Sequence, residues 1–530
     1  MQQQPETAGA WDDDSLSPGE CIVLPKICVS KRYLDELTED CLDAIMSQND
    51  PPSVFQRNGS LARLKNVTES KIEIELINKD MLVGKLARSA YFVNDKDVPV
   101  SPPKGAASDI LSLPGWDLPI LSGVVSTPVL RKDGTVLTSP GYDEASGLYY
   151  RPSPDLYVPE IREEPTRSDA VRAAQYLLTE VLGDFPYVDQ ASRANALASL
   201  MTPLVRPVID GCTPLFLFDK PTPGSGASLQ VEIMSNIVTS RAANFVRQSD
   251  SDEEMRKQIT AWLRPGPQII AIDNIDTEIH SASLSSVLTS TTWDDRILRT
   301  SKVASLPNLA SWYGTGNNIQ LNGDIPRRAC LIRIDAKVDK PWERDTNQFR
   351  HPDIIEWVRN NRGEILANAL TLARAWYVAG KPKGSTKPLG SFESWTKILS
   401  GMLEFAGITG LLENAAELAE RDAGSDEWTF FFAKWHDIFG PKPILMKELL
   451  NELWRDEDLA EVMPEKIAEA LRGARTRGAG IGVGKALARK TEVTYSNGLR
   501  LVRGKDAHAG QKNWAVIKEE RADSEQAVGR

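Results

Sequence analysis

The sequence predicts an α/β protein: a parallel-sheet core, with an α+β region before it and helices and a hairpin after it. Three observations predict this. Leu215-Phe216-Leu217-Phe218, Ile269-Ile270-Ala271-Ile272 and Leu331-Ile332-Arg333-Ile334 are short apolar runs, mostly without alternation. Strands of that kind are buried on both faces, as in parallel sheets. Helical stretches separate the runs, which is the βαβ pattern. A glycine-rich turn follows the first run, where a parallel sheet places its ligand loops.

Composition bounds the rest. The chain has 530 residues, 41% hydrophobic and 25% charged, with 13 Trp, which excludes a mostly disordered or fibrous protein. At roughly 100–200 residues per domain, about three or four domains are expected. Five scattered cysteines imply no disulfide framework, and their spacing makes no zinc knuckle. No apolar run reaches the ~20 residues of a membrane span, and the N-terminus is not patterned as a signal peptide. A soluble cytoplasmic protein is therefore expected. The net charge of −11 argues against nucleic acid only as an average. Residues 1–50 hold eleven acids against three bases, whereas residues 470–518 hold eleven Lys/Arg against Glu492 and Asp506.

The elements follow in order. Residues 1–20 read as a polar tail. Tyr33–Met46 reads as a helix, and Lys71–Leu76, strictly alternating, as a half-buried strand. Val98–Pro114, rich in Pro, Ser and Gly, reads as a connector, and Val129–Tyr150, with Lys132-Asp133-Gly134, as a hairpin. Ser168 is placed to cap a helix carrying Val171, Ala174, Leu178 and Val181 on one face, and Ala191–Met201 forms the next helix. Ala310–Tyr313 is a weaker strand candidate. Pro352–Ala419 is helical, with a break over Gly380–Gly390. Glu427–Phe439, Leu445–Trp454 and Val483–Lys490 read as helices, and Thr494–Val502 and Gln511–Lys518 as closing strands. Three helices and a hairpin suit a winged-helix module, which sets one helix in a DNA groove.

The chemistry concentrates after Phe218, in Asp219-Lys220-Pro221-Thr222-Pro223-Gly224-Ser225-Gly226-Ala227-Ser228. Gly224 and Gly226 permit a tight turn of backbone N–H groups, and the helix behind adds its positive end. The alternative is an ordinary strand-to-helix loop. Ser228 stands where a phosphate-loop hydroxyl meets Mg²⁺. Asp273, 45 residues on, ends the next apolar strand, the usual place of a Mg²⁺-water carboxylate. Asn317 and Asn318 follow a further strand, and Arg327 and Arg328 follow those. For an isolated arginine pair, a surface ion pair is the ordinary reading.

In that order, residues 213–335 resemble the core of an AAA+ ATPase, with Walker A, Walker B, sensor 1 and arginine-finger positions in sequence. Residues 113–520 more narrowly resemble the phage- and plasmid-type replication helicases of superfamily 3 and the primase-helicases. Pro140-Gly141-Tyr142-Asp143, Pro221-Thr222-Pro223-Gly224-Ser225-Gly226, Trp293-Asp294-Asp295-Arg296, Thr315-Gly316-Asn317-Asn318 and Asp324-Ile325-Pro326-Arg327-Arg328 carry the likeness. It implies ATP and Mg²⁺ as cofactors, single-stranded or forked DNA as partner, and a homo-oligomeric ring, a hexamer. Sensor function falls to Asn317 or Asn318, and Arg327 or Arg328 completes a neighbour's site.

The implied domains are a tail over 1–20, an α+β region over 21–160 and an AAA+ core over 161–350. A helical lid over 351–424, a winged helix over 425–520 and a tail over 521–530 follow. Lys485, Arg489 and Lys490 on the third helix, with Arg500, Arg503 and Lys505 by the hairpin, would contact DNA phosphates. Arg472, Arg475 and Arg477 read as a Gly-rich loop before that helix. The alternative for this basic tail is a solvated face or a dock for the acidic head. Arg299 and Lys302 lie in an insertion that related rings turn toward the DNA channel.

Two departures qualify the resemblance. Ala227 replaces the family's phosphate-binding lysine, whose charge-assisted bond is worth about 1.5–3 kcal/mol. Asn274 replaces the catalytic glutamate and cannot act as a base. Lys220, Asp276 and Glu278 are the nearby substitutes. The sequence thus supports a DNA helicase of a phage or mobile element, with a non-hydrolysing, nucleotide-gated DNA-binding or assembly protein as alternative. A winged-helix transcriptional regulator is a third reading.

Overall fold

The computed structural model describes residues 24–68, 71–249, 251–275, 281–296, 303–321, 323–420, 423–472 and 477–488, then 490–491, 493, 495, 497–505 and 512–518. The expected tails, Arg299, Lys302, Asp276, Glu278, Arg475 and Arg489 lie outside the described residues. The chain forms two compact units, one running to Val67 and over Ile72–Ser122, the other over Thr68–Lys71 and Gly123–Arg530.

The first unit is α+β. Its elements are β1 (Lys26–Cys28), α1 (Leu34–Ser47), β2 (Val54–Arg57), β3 (Ser60–Thr68), β4 (Lys71–Leu76), α2 (Lys79–Ser89), β5 (Tyr91–Val93) and α3 (Lys104–Ile110). Strands β2, β3 and β4 make one small sheet, and β1 pairs in parallel with β5. The helix over 33–46 and the strand Lys71–Leu76 form as their patterns predict. The expected connector over 98–114 instead contains α3. Ala106, Ala107 and Ile110 bury there against the α1 and α2 residues Leu37, Cys41 and Leu86.

The second unit opens with β6 (Gly123–Val125), β7 (Val129–Leu130), β8 (Val136–Leu137), β9 (Gly141–Asp143) and β10 (Leu148–Tyr150). β7 and β8 flank the Lys132-Asp133-Gly134 turn as an antiparallel pair. α4 (Arg167–Tyr176) runs into a π-helical turn over Leu177–Val181. Its cap is Thr166 rather than Ser168. The Thr166 hydroxyl oxygen accepts from the Asp169 N–H while Asp169 accepts from the Thr166 N–H, a capping box. Val171 points to solvent, and the buried stripe is Ala170, Ala173, Ala174 and Leu177. α5 (Gln190–Met201) follows.

The core then runs β11 (Leu215–Lys220), α6 (Ala227–Thr239), β12 (Phe245–Val246), α7 (Asp252–Leu263), β13 (Ile269–Ile275), α8 (Ala282–Leu288), β14 (Thr292–Arg296), β15 (Val303–Pro307), β16 (Ser311–Asn317) and β17 (Ala329–Arg333). Five strands form one parallel sheet in the order β12-β13-β16-β11-β17. The unalternating apolar runs have their reason here. Phe216, Phe218, Ala271, Tyr313, Cys330 and Ile332 face one hydrophobic cluster, while Leu215, Leu217, Ile270, Ile272, Trp312 and Leu331 face the other. β14 and β15 form an antiparallel hairpin outside this sheet, flanking the segment of Arg299 and Lys302.

α9 (Ile354–Val378), α10 (Glu393–Phe405) and α11 (Ala415–Glu420) come next, with the break between α9 and α10 where Gly380–Gly390 predicted it. α9 and α10 share the cluster of Phe216 and Ala227 through Leu366, Ala373, Trp395 and Leu399. The C-terminal stretch comprises α12 (Ala423–Phe439), β18 (Ile444–Leu445), α13 (Met446–Arg455), α14 (Glu457–Glu461), α15 (Glu465–Arg472), α16 (Arg477–Ala488), β19 (Leu499–Lys505) and β20 (Lys512–Lys518). Its sheet is antiparallel in the order β18-β20-β19, around Trp428, Phe431, Phe432, Trp435 and Trp514. α16 starts six residues earlier than expected, so Arg477 opens the helix instead of preceding it. Gly482 lets α15 come close: a Cβ there would lie 2.7 Å from that of Ala470. No helix among the described residues is long and apolar enough to cross a membrane.

Candidate functional site

The parallel strands deliver the singled-out residues to their carboxyl ends, the edge where α/β sheets bind ligands. β11 ends at Lys220, and the loop to α6 turns through Gly224 (φ +80°) and Gly226 (φ +103°), both left-handed. Only glycine takes such angles without strain. The loop is also crowded: a Cβ on Gly224 would meet Trp342 at 3.1 Å, and one on Gly226 would meet Phe185 at 3.2 Å. Ser225 is buried, and its hydroxyl donates to the Thr222 carbonyl at 2.8 Å. Ala227, also buried, packs with Phe218 and Val231 in the hydrophobic cluster.

The second turn of contacts lies between α6, β13 and β16. The Ser228 hydroxyl donates to Asp273 Oδ1 at 2.8 Å. The Thr315 hydroxyl donates to the same oxygen and lies 3.4 Å from Ser228 Oγ. Between Ile272 and Ile275 the β13 register slips against β16, a bulge carrying Asp273 and Asn274. Asn274 sits at φ +51°, a conformation asparagine tolerates better than most residues, and its N–H reaches Thr315 Oγ1 at 3.4 Å. One carboxylate and two hydroxyls therefore share a corner directly behind the glycine loop. Hard oxygen donors of this kind fit Mg²⁺.

Lys220 is half-buried at the mouth of the loop. Burial pushes its ammonium below the usual lysine range, opposed by the nearby charges of Asp273 and Asp219. A cation near Asp273 thus exists, supplied from the strand rather than from position 227.

The asparagines differ in their settings. Asn317, at the end of β16, is exposed and lies in register with Lys220. Asn318 (φ +45°) donates its N–H to the Lys220 carbonyl at 3.0 Å and accepts from Arg333 Nη2 at 3.1 Å. Arg333 also binds the buried carboxylate of Asp219, whose other oxygen accepts from the Ile319 N–H at 2.9 Å. Asp219 and Arg333 thereby fasten the asparagine segment to the strand that carries the loop.

Both finger candidates bind Asp324. The Arg328 side chain is 14% exposed, pairs with Asp324 at 3.0 Å and donates to the Ser285 carbonyl. Arg327 also pairs with Asp324, yet its side chain is 68% exposed.

In the C-terminal stretch, Lys485 is exposed on α16 and Arg472 ends α15. Lys490 Nζ lies 5.4 Å above the Trp428 ring, and the exposed Arg503 lies 5.2 Å above that of Trp514. Arg500 is half-buried on β19, and Lys505 ends that strand. These cations come from the end of α15, α16, its C-terminal end and the hairpin.

Sequence reasoning missed Thr315, Asp219, Arg333, Trp342 and Phe185. Thr315 and Asp219 stood inside segments quoted for their neighbours. Trp342 and Phe185 have no signal, because their role is a contact across the chain.

No model of a known protein family matches the sequence, and no curated protein matches it. Among solved structures, the A-form apo structure of the C-terminal region of NrS-1 aligns with 90% of this chain and 98% of its own, at 12% identity and a TM-score of 0.40. The A-form apo structure of residues 305–718 of that region aligns with 90% of this chain and 100% of its own, at 12% identity and a TM-score of 0.38.

Proposed function

We propose that this chain is an ATP-binding DNA replication protein of the AAA+ helicase type, serving a phage or mobile element and working as a ring. The observation that carries this reading is the corner in which Ser228 and Thr315 both donate to Asp273 Oδ1, behind a loop with two left-handed glycines. In this reading the loop N–H groups from Gly224 to Ser228 bind the phosphates, aided by the N-terminus of α6. Ser228 and Asp273 hold Mg²⁺, which when bound supplies charge neutralisation at the phosphates. Lys220 supplies the cation that Ala227 lacks. Asn317, exposed at the strand end, serves as the polar sensor, while Asn318 holds the loop strand. Arg327 is the finger offered to a neighbouring copy, since Arg328 is tied to α8. The C-terminal stretch, read as a winged helix, binds DNA through α16 and the hairpin, and Arg299 and Lys302, between β14 and β15 in sequence, are further candidates for DNA contact.

A second reading has its own support. Ala227 sits in the hydrophobic cluster, and Asn274 offers no base. A protein that binds nucleotide without turning it over, and uses it to gate assembly on DNA, fits those two residues. ATP turnover with and without single-stranded DNA separates the readings. The motor predicts DNA-stimulated turnover, lost in both Asp273→Asn and Asp273→Ala. Nucleotide binding without turnover, unchanged by Ala227→Lys, would sink the motor and leave the gated scaffold. Tight binding to a single DNA sequence would favour the transcriptional regulator over both.

A further inference from the structure

Trp342 is 59% exposed, although tryptophan is mostly a buried residue in this chain. It lies in the short turn Pro341–Glu343, between β17 and α9. The turn passes directly over the apex of the glycine loop. A Cβ on Gly224 would lie 3.1 Å from Trp342 Cε3 and 3.2 Å from both its Cβ and its backbone nitrogen.

The strap that carries this indole is built, not loose. Lys340 pairs with Glu343 at 2.9 Å, and Arg344 lies 4.6 Å above the Phe349 ring. At its far end the Arg350 N–H donates to Asp184 at 2.8 Å, and the Arg350 guanidinium and the His351 ring each reach Glu180 at 3.1 Å. His351 stacks on Trp357 with ring centroids 3.8 Å apart. Asp184 immediately precedes Phe185, whose ring borders Gly226. The same strap therefore holds one aromatic ring against the first loop glycine and fastens the residue beside the ring that borders the second.

We propose that Trp342 is the stacking platform for the nucleobase of the bound nucleotide. The inference rests on the phosphate-loop reading above and adds the base to it. Phosphates gripped by the loop leave the sugar and base just beyond it, and Trp342 sets a largely exposed indole against that loop. Every base has a π-face, so an indole there adds affinity without needing a matched edge. The bland account is that Trp342 only props the loop by filling the space above Gly224. That account makes a different prediction: a prop supports phosphate binding, whereas a platform supports only ligands that carry a base.

The test is calorimetric binding of Mg·ATP and of inorganic triphosphate to the full chain, its Trp342→Ala variant and its Trp342→Phe variant. Trp342→Ala should weaken ATP by about fivefold or more and leave triphosphate unchanged. Trp342→Phe should recover most of the loss. Equal weakening of both ligands makes Trp342 a prop and overturns the platform. So does unchanged ATP affinity in Trp342→Ala, with the phosphate-loop reading left intact by the triphosphate binding. If the unaltered chain binds neither ligand, the phosphate-loop reading itself fails and takes this one with it.

Discussion

Lys220 ends β11 at the mouth of a loop whose own position 227 is alanine. Burial lowers its pKa below the ordinary 10.5, so in the folded chain it loses its proton at a lower pH than when unfolded. Between the two pKa values the unfolded chain binds more protons, and the Lys220 contribution to stability rises with pH across that window. Nucleotide binding has the opposite sign. A phosphate favours the ammonium, so ATP affinity should fall as pH climbs through the lowered pKa, before an ordinary lysine would titrate. Titrating ATP binding from about pH 7 to about pH 10 checks this. Lys220→Met should bind ATP more weakly at the low end and lose the alkaline decline. If the variant keeps the wild-type pH profile, Lys220 is not the substitute cation.

Elements explain which of these features can be read from a sequence. β11 and β13 were legible because both of their faces are buried, so apolar side chains are needed at every position. β12 has two residues, too few for any pattern. β16 was obscured by Gly314 and Gly316, which normally weaken a strand. They are needed because neighbours approach closely: a Cβ on Gly316 would lie 2.4 Å from the Ile275 carbonyl oxygen, and one on Gly314 2.9 Å from Leu217 Cδ2. The same crowding hid Thr315, which sits between those glycines and completes the Asp273 corner. Thr166 does carry a sequence signal, since Asp169 three residues on makes the capping box. The loop and Asp273 come together in space as their order in the sequence suggests, but Trp342 carries no sequence signal, because only the folded chain brings the strap to Gly224. Gly316→Ala should consequently displace the β13 bulge, lower the melting temperature and weaken ATP binding together. Gly115→Ala, where an added Cβ meets nothing within 4 Å, should leave the folding stability within about 0.5 kcal/mol of the unaltered chain. Normal ATP binding by a stably folded Gly316→Ala protein would show that the bulge does not shape the site.

At the scale of the whole molecule the charge balance changes meaning. A total of −11 describes a chain that DNA should avoid, yet eleven of its cations fall within residues 470–518. Those that are described come from the end of α15, α16, its C-terminal end and the β19–β20 hairpin, with Lys490 and Arg503 set over tryptophan rings. If the proposed DNA-binding reading holds, cations held this way are oriented before DNA arrives, and the acidic remainder of the chain would confine its approach to the basic stretch. Binding through phosphate contacts releases counterions, and the logarithm of affinity falls with the logarithm of salt by about 0.9 per contact on duplex and about 0.7 on single strands. Arg489→Ala combined with Lys490→Ala should therefore weaken binding to all DNA sequences alike. On duplex the salt slope should flatten by about 1.8 if both residues touch phosphate. Fluorescence anisotropy across a salt series measures both quantities on one sample. An unchanged slope removes these two residues from the interface. Weakening confined to one DNA sequence would instead mean that they read bases, which is what a sequence-specific regulator requires and a translocating ring does not.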